Sequence, residues 1–172
     1  MSLEVRDVSI EPKDERLKVA IKVTNAADRT VHAYATVRRI VYDEATHQLE
    51  LDLSDEETRA TPTAGTFVFP RFKAIDPNRD GEIRLDLPRV LNRMAAGENQ
   101  VSPTIESVPL DDVRQVDVRL AWSDTPFYDD VRDESKPVVH QLVDWKKGIA
   151  RAKIEVKPPR RPRRGRGGQA VR

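Results

Sequence analysis

The 172-residue chain contains no cysteine, which removes disulfides, thiolate metal ligands and cysteine nucleophiles together. Glycine is scarce too. Of seven, Gly165, Gly167 and Gly168 stand near the C-terminus, and Gly65, Gly81, Gly97 and Gly148 are single residues at turn positions, so no glycine-rich loop exists to cradle a phosphate. Aromatic residues make up only 5%, leaving Val, Ile and Leu to build a core. No apolar run approaches the roughly 20 residues of a membrane-crossing helix. The opening MSLEVRDVSIEP lacks the positive cluster and apolar stretch of a secretory leader, so the cytoplasm is the expected compartment. Signatures of hydrolases and metalloproteases are missing as well: there is no G-x-S-x-G and no H-E-x-x-H, and His32, His47 and His140 share no ligand spacing. A non-enzymatic protein without a cofactor is the expectation.

What the chain does have is charge, unevenly placed. Charged residues are 34% of the total, and the net charge of +1 conceals a division. From Lys157 onward, KPPRRPRRGRGGQAVR holds seven basic residues and no acid, which leaves 23 basic against 29 acidic residues, or −6, in the body. Residues 1–156 are therefore read as one domain and 157–172 as a flexible Arg/Pro/Gly-rich basic tail, since Pro158, Pro159 and Pro162 block helix and sheet and almost nothing apolar is available to bury. Arg160, Arg161, Arg163, Arg164 and Arg166 are its candidate partner-binding residues. Guanidinium groups suit bidentate pairing with carboxylates on an acidic protein partner or a neighbouring subunit. The alternative is RNA or DNA, because RRGRGG resembles the arginine-glycine segments of RNA-binding proteins, although the acidic body would repel a polyanion.

Alternation of apolar and polar residues dominates the body. Leu17, Val19, Ile21 and Val23 oppose Lys18, Ala20, Lys22 and Thr24, and this strand is expected to pair as a hairpin with a long run from Thr30 to Tyr42 across the turn Asn25-Ala26-Ala27-Asp28. The first segment changes parity between Leu3/Val5 and Val8/Ile10, which predicts a bulge near Arg6-Asp7. Further strands are expected at Gln48–Leu53, Thr66–Ile75, Glu82–Leu87 and Val113–Trp122, with a surface loop over 54–65. Pro88–Ala96 carries Pro at a first-turn position, helical spacing of Val90, Leu91 and Met94, and Gly97 as a stop, so it is read as the one short helix. Val138–Val156 admits a helix or two strands about Lys146-Lys147-Gly148; the alternation from Ala150 to Lys157 favours the hairpin. The whole reads as an all-β, two-layer antiparallel sandwich of immunoglobulin-like type.

Two stretches invite a binding role. In DPNRDGEI, Asp76, Asn78 and Asp80 stand at calcium-ligand spacing and Gly81 at the sharp turn, but position 12 of such a loop is Leu87 and the flanks read as strands, so a hairpin turn is preferred over a calcium-dependent domain. In SDTPFYDD, Phe127 and Tyr128 fall outside the alternation, either as partner-binding anchors in a rigid loop or with Phe127 capping the end of the core.

Overall fold

A computed structural model describes residues 3–54, 70–95, 104–130, 135 and 138–157. In chain order the elements are β1 (Leu3–Lys13), β2 (Arg16–Asn25), β3 (Val31–Tyr34), β4 (Arg39–Asp43), β5 (Gln48–Leu53), β6 (Phe72–Ile75), β7 (Asp80–Pro88), β8 (Val90–Ala95), β9 (Thr104–Pro109), β10 (Gln115–Ser123), α1 (Phe127–Asp130), α2 (Val138–Trp145) and β11 (Gly148–Glu155). The fold is all-β and sandwich-like. One sheet has the order β1-β2-β7; the other runs β4-β5-β10-β3-β6, with β11 on the opposite edge of β10; β8 and β9 form a separate two-stranded ribbon.

The alternation read from the sequence explains the inner face of the first sheet. Leu17, Ile21 and Val23 of β2 are fully buried, and Ile83, Leu85 and Leu87 of β7 continue the same layer. They meet Val116, Val118 and Leu120 of β10 and Leu49, Leu51 and Leu53 of β5 in one continuous core. The bulge expected near Arg6-Asp7 is present as a register shift between Val5 and Asp7.

Several expectations need correction. The strand Leu17–Val23 does not form a hairpin with the run beginning at Thr30: β2 pairs with β1 and β7, whereas β3 lies in the other sheet against β10 and β6. Asn25–Thr30 is a crossing between layers. The run Thr30–Tyr42 is also two strands, because β5 rises between β4 and β10 and displaces the chain sideways after Tyr34. That insertion makes β5 parallel to β10, from Gln115↔Gln48 to Leu120↔Leu53, so the sandwich is not antiparallel throughout. Likewise Asp76–Arg79 joins β6 of one sheet to β7 of the other and is not a hairpin turn.

The expected helix at Pro88–Ala96 is strand β8. A helix of two turns is marginal in water, and β9 supplies a cross-strand partner for every residue from Val90↔Pro109 to Ala95↔Thr104. Between 138 and 156 both readings hold in part. Leu142 and Trp145, three apart, are buried on the helix α2, and the alternating half is strand β11. Gly148 sits opposite Trp122, and a Cβ there would lie 2.8 Å from the indole ring. Gly148→Ala is expected to destabilise by about 1–2 kcal/mol as the ring is pushed aside, measurable as an earlier thermal unfolding.

Candidate interaction surfaces

The turn carrying Asp76, Asn78 and Asp80 is built from backbone bonds and one buried amide. Arg79 N–H donates to Asp76 O (3.2 Å) and Asn78 N–H to Ala27 O (3.2 Å), with Asn78 in the left-handed region at φ 53°. Asp80 accepts the Thr24 hydroxyl at 2.6 Å. From beneath, the fully buried Asn25 donates its amide to Arg29 O, Ile75 O and Asp76 O at 2.8–3.1 Å and accepts Ala27 N–H at 2.9 Å. Among the described residues no group of three or more His, Cys, Asp or Glu side chains is placed to hold a metal ion.

Phe127 and Tyr128 part company. Phe127 is buried, stacked on Phe72 at 5.6 Å and edge-on to Trp145. Tyr128 remains 47% exposed while its hydroxyl donates to Pro70 O at 3.2 Å. Of this pair, Tyr128 is the one a partner can reach. The side chains of Asp129 and Asp130 lie outside the described residues, as do Arg160, Arg161, Arg163, Arg164 and Arg166. His32, opposite Ser123, and His47, beside Gln48 opposite Gln115, mark the two ends of β10, some 25 Å apart at strand spacing.

Where the described chain ends is more telling. Val156 N–H donates to Arg114 O at 2.9 Å, so Lys157 emerges beside the turn Asp111–Arg114 and the β4–β5 turn. That end of the molecule is acidic but paired: Arg89 holds Asp111 at 2.6 Å, and Arg114 and His47 hold Asp112 at 3.1 and 3.3 Å. Hydrogen bonds from Thr46 and Ala45 keep the Asp43 carboxyl below its ordinary pKa. Burial, reinforced by Asp112 and Glu44, pushes the Tyr42 phenol above its own.

The ribbon β8–β9 stands at this same end. Arg93 bridges Glu106 across the ribbon (2.9 Å) and Glu44 of the β4–β5 turn (2.7 Å), while Val108 is buried on the same face. The opposite face presents Val90, Asn92 and Met94 against Pro109, Ser107 and Ile105. Val90, Met94 and Ile105 are 44%, 75% and 70% exposed, and no residue of this face is charged in a chain whose residues are 34% charged. Sequence reading missed it by assigning a helix. The signal was available as the alternation of Val90, Asn92 and Met94 against Leu91 and Arg93.

A second feature lies on the other sheet. Among the described residues β7 pairs only with β2, and a hollow of about 890 Å³ spans its other edge and the outer face of the sheet, lined by Ser9, Glu11, Lys18, Ala20, Arg84 and Asp86 and faced by Ala35, Val37, Ile40 and Arg71. Asp86 accepts from Lys18 and, at 2.7 Å, from Arg16, and these cations hold its carboxyl below the usual range. No helix among the described residues is long and apolar enough to cross a membrane. No protein-family model matches the chain, and no curated protein matches it in sequence.

Proposed function

We propose that the chain is a non-enzymatic protein-binding or assembly module of the cytoplasm, an immunoglobulin-like sandwich whose cationic C-terminal arm contacts an acidic partner or a neighbouring subunit. The observation that carries this reading is the convergence, at one end of the body, of the arm's origin at Lys157 and the uncharged exposed face of the ribbon β8–β9. Interface centres are depleted of charge and enriched in residues such as Met, and Arg-rich segments supply bidentate pairing at the rim. A partner seated on Met94 and Ile105 lies within reach of the arm. The immunoglobulin-like assignment is supported by strand order: β1-β2-β7 faces β6-β3-β10-β11, with the crossings β2→β3 and β6→β7 where such sandwiches change sheet. The β4–β5 hairpin is then an addition beside β10.

The test compares the full chain with a chain ending at Val156, titrated with a fluorescent polyglutamate peptide and with single-stranded RNA over a range of salt. The expected result is peptide binding by the full chain that weakens with salt, and loss of that binding on truncation without a change in melting temperature. Equal binding by both chains eliminates the arm. RNA bound in preference to the peptide, with the steep salt dependence of phosphate contacts, moves the function to nucleic acid.

A further inference from the structure

We propose that the edge of β7 with which no described residue pairs is completed by β7 of a second copy of this chain, antiparallel about a two-fold axis at Leu85, joining two three-stranded sheets into one. This deepens the assembly reading above but does not rest on the arm. An unpaired edge strand presents a row of backbone donors and acceptors that another extended chain can complete. What singles out β7 among the edges of the two layers is length combined with charges of both signs that can pair with a second copy of themselves. β1 is interrupted by its bulge at Val5/Asp7, β4 and β6 have five and four residues, and β11 carries Arg151 and Lys153, which self-pairing would set against each other. β7 has nine residues and pairs with β2 without a break from Arg16↔Pro88 to Thr24↔Asp80.

Charge selects both the partner and the register. Across the outer face of the sheet, Glu11, Lys18 and Asp86 lie in one cross-strand row, alternating in sign, and Ser9, Ala20 and Arg84 lie in the next. Among the described residues both rows stop at the β7 edge. Antiparallel pairing about Leu85 places Arg84 of each copy opposite Asp86 of the other, so the first row continues with a cation and the second with an anion. The same register puts Leu85 opposite Leu85 and Ile83 opposite Leu87 on the inner face, and Glu82 opposite the uncharged Pro88. Moving the axis to Arg84 opposes Arg84 to itself and Glu82 to Asp86. Moving it to Ile83 opposes Asp86 to Asp80, and moving it to Asp86 opposes that acid to itself. A one-residue slip exchanges inner and outer faces. Arg84, whose side chain is 84% exposed, bonds among the described residues to Glu82 on the same strand, so its guanidinium stands near the edge where the partner's acid would lie.

A seven-residue strand occupies roughly 1,100 Å³ at ordinary strand, sheet and residue spacings; the hollow of about 890 Å³ begins at the β7 edge and continues over the outer face of β2 and β1, where Lys18, Ala20, Ser9 and Glu11 line it. Its far wall, Ala35, Val37 and Ile40, is apolar and only partly buried, and an added strand would cover it.

The absence of cysteine makes the register directly testable. In the paired state Arg84 and the partner's Asp86 are directly opposite, at about 4.5–5.5 Å between Cα atoms, within disulfide range. Two copies of Arg84 are diagonal, at about 7–8 Å, and out of range. The doubly substituted chain R84C/D86C is expected to form a covalent dimer under mild oxidation, as is a mixture of R84C with D86C. Either single variant alone is expected to remain uncrosslinked. Sedimentation equilibrium of the unmodified chain is expected to show a reversible dimer, weakened roughly tenfold or more by Arg84→Asp and unaffected by truncation at Val156. That last comparison separates failure of the edge from failure of the arm. A chain monomeric at hundreds of micromolar overturns the proposal, as does crosslinking of R84C alone as readily as the double variant. A monomer that dimerises only when residues 55–69 are shortened assigns the edge to the chain itself and overturns it equally.

Discussion

Replacing Asn25 with Ala is expected to destabilise the protein by about 3 kcal/mol, lowering the melting temperature by roughly 6–12 °C. The residue is fully buried, and its amide is bonded to carbonyls on both layer crossings: Arg29 O on the β2→β3 link, Ile75 O and Asp76 O on the β6→β7 link. Its side-chain oxygen takes Ala27 N–H, and its own N–H donates to Arg79 O at 2.9 Å. Alanine leaves the Ala27 N–H and three carbonyl oxygens without this partner, so the loss is of desolvated groups and not of a surface contact. Asn25→Asp is expected to do more harm near neutral pH, because a carboxylate has no hydrogen to offer the three carbonyls. The sign with pH follows. A carboxyl buried against acceptors has a folded pKa raised above its unfolded value near 4. The penalty relative to the natural chain is therefore smallest below the unfolded pKa, where the protonated acid donates one bond, and it grows as pH rises through the folded pKa. Thermal melts of both proteins at pH 4 and pH 7 measure the difference; an equal gap at the two values would contradict the donor role.

Asn25 also shows what could be read from the sequence and what could not. Period-two alternation located β2, β5, β7, β10 and β11 because each buries one face, and a buried face leaves its mark at every second letter. The parity change at Leu3/Val5 against Val8/Ile10 located the bulge for the same reason. Pairing leaves no such mark. Asn25-Ala26-Ala27-Asp28 has ordinary turn chemistry, and nothing in it distinguishes a return within one sheet from a crossing to the other. The break in the run Thr30–Tyr42 was better signalled than it was read, since Val31 and Ala33 are odd while the later Ile40 and Tyr42 are even. The ribbon β8–β9 failed for a physical reason: neither of its faces is a full core face, so Val90, Leu91 and Met94 satisfied a helical spacing as readily as an alternating one. The edge of β7 is a property of tertiary order alone, although the alternation of Glu82, Arg84 and Asp86 that gives it a partner is local. Of the sites proposed from sequence, the tail arginines lie outside the described residues, and Phe127 proved to be the member of its pair that faces inward.

Trp145→Ala is expected to be the most damaging single truncation at the aromatic end of the core, costing about 3–5 kcal/mol. Trp145 is 2% exposed; its ring lies 4.7 Å from Phe72 and 5.6 Å from Tyr34, and its indole N–H donates to Thr125 O at 2.9 Å. One side chain therefore ties α2, β3, β6 and the segment leading into α1 to each other. Trp145→Phe keeps most of the packing and abandons the bond to Thr125, so a loss of about 1–2 kcal/mol is expected. The contrast with Tyr128 decides what the SDTPFYDD stretch is for. Tyr128 touches the same cluster at its rim, 5.9 Å from Phe72, yet half its surface is open, so Tyr128→Ala should cost no more than about 1 kcal/mol. If that variant keeps its fold and loses a partner retained by the natural chain, the exposed ring is a binding anchor held in place by Phe72 and Phe127. If it keeps both, the aromatic residues of this end serve the core alone, and a partner is then sought at the cationic arm, the ribbon face around Met94 and the edge of β7.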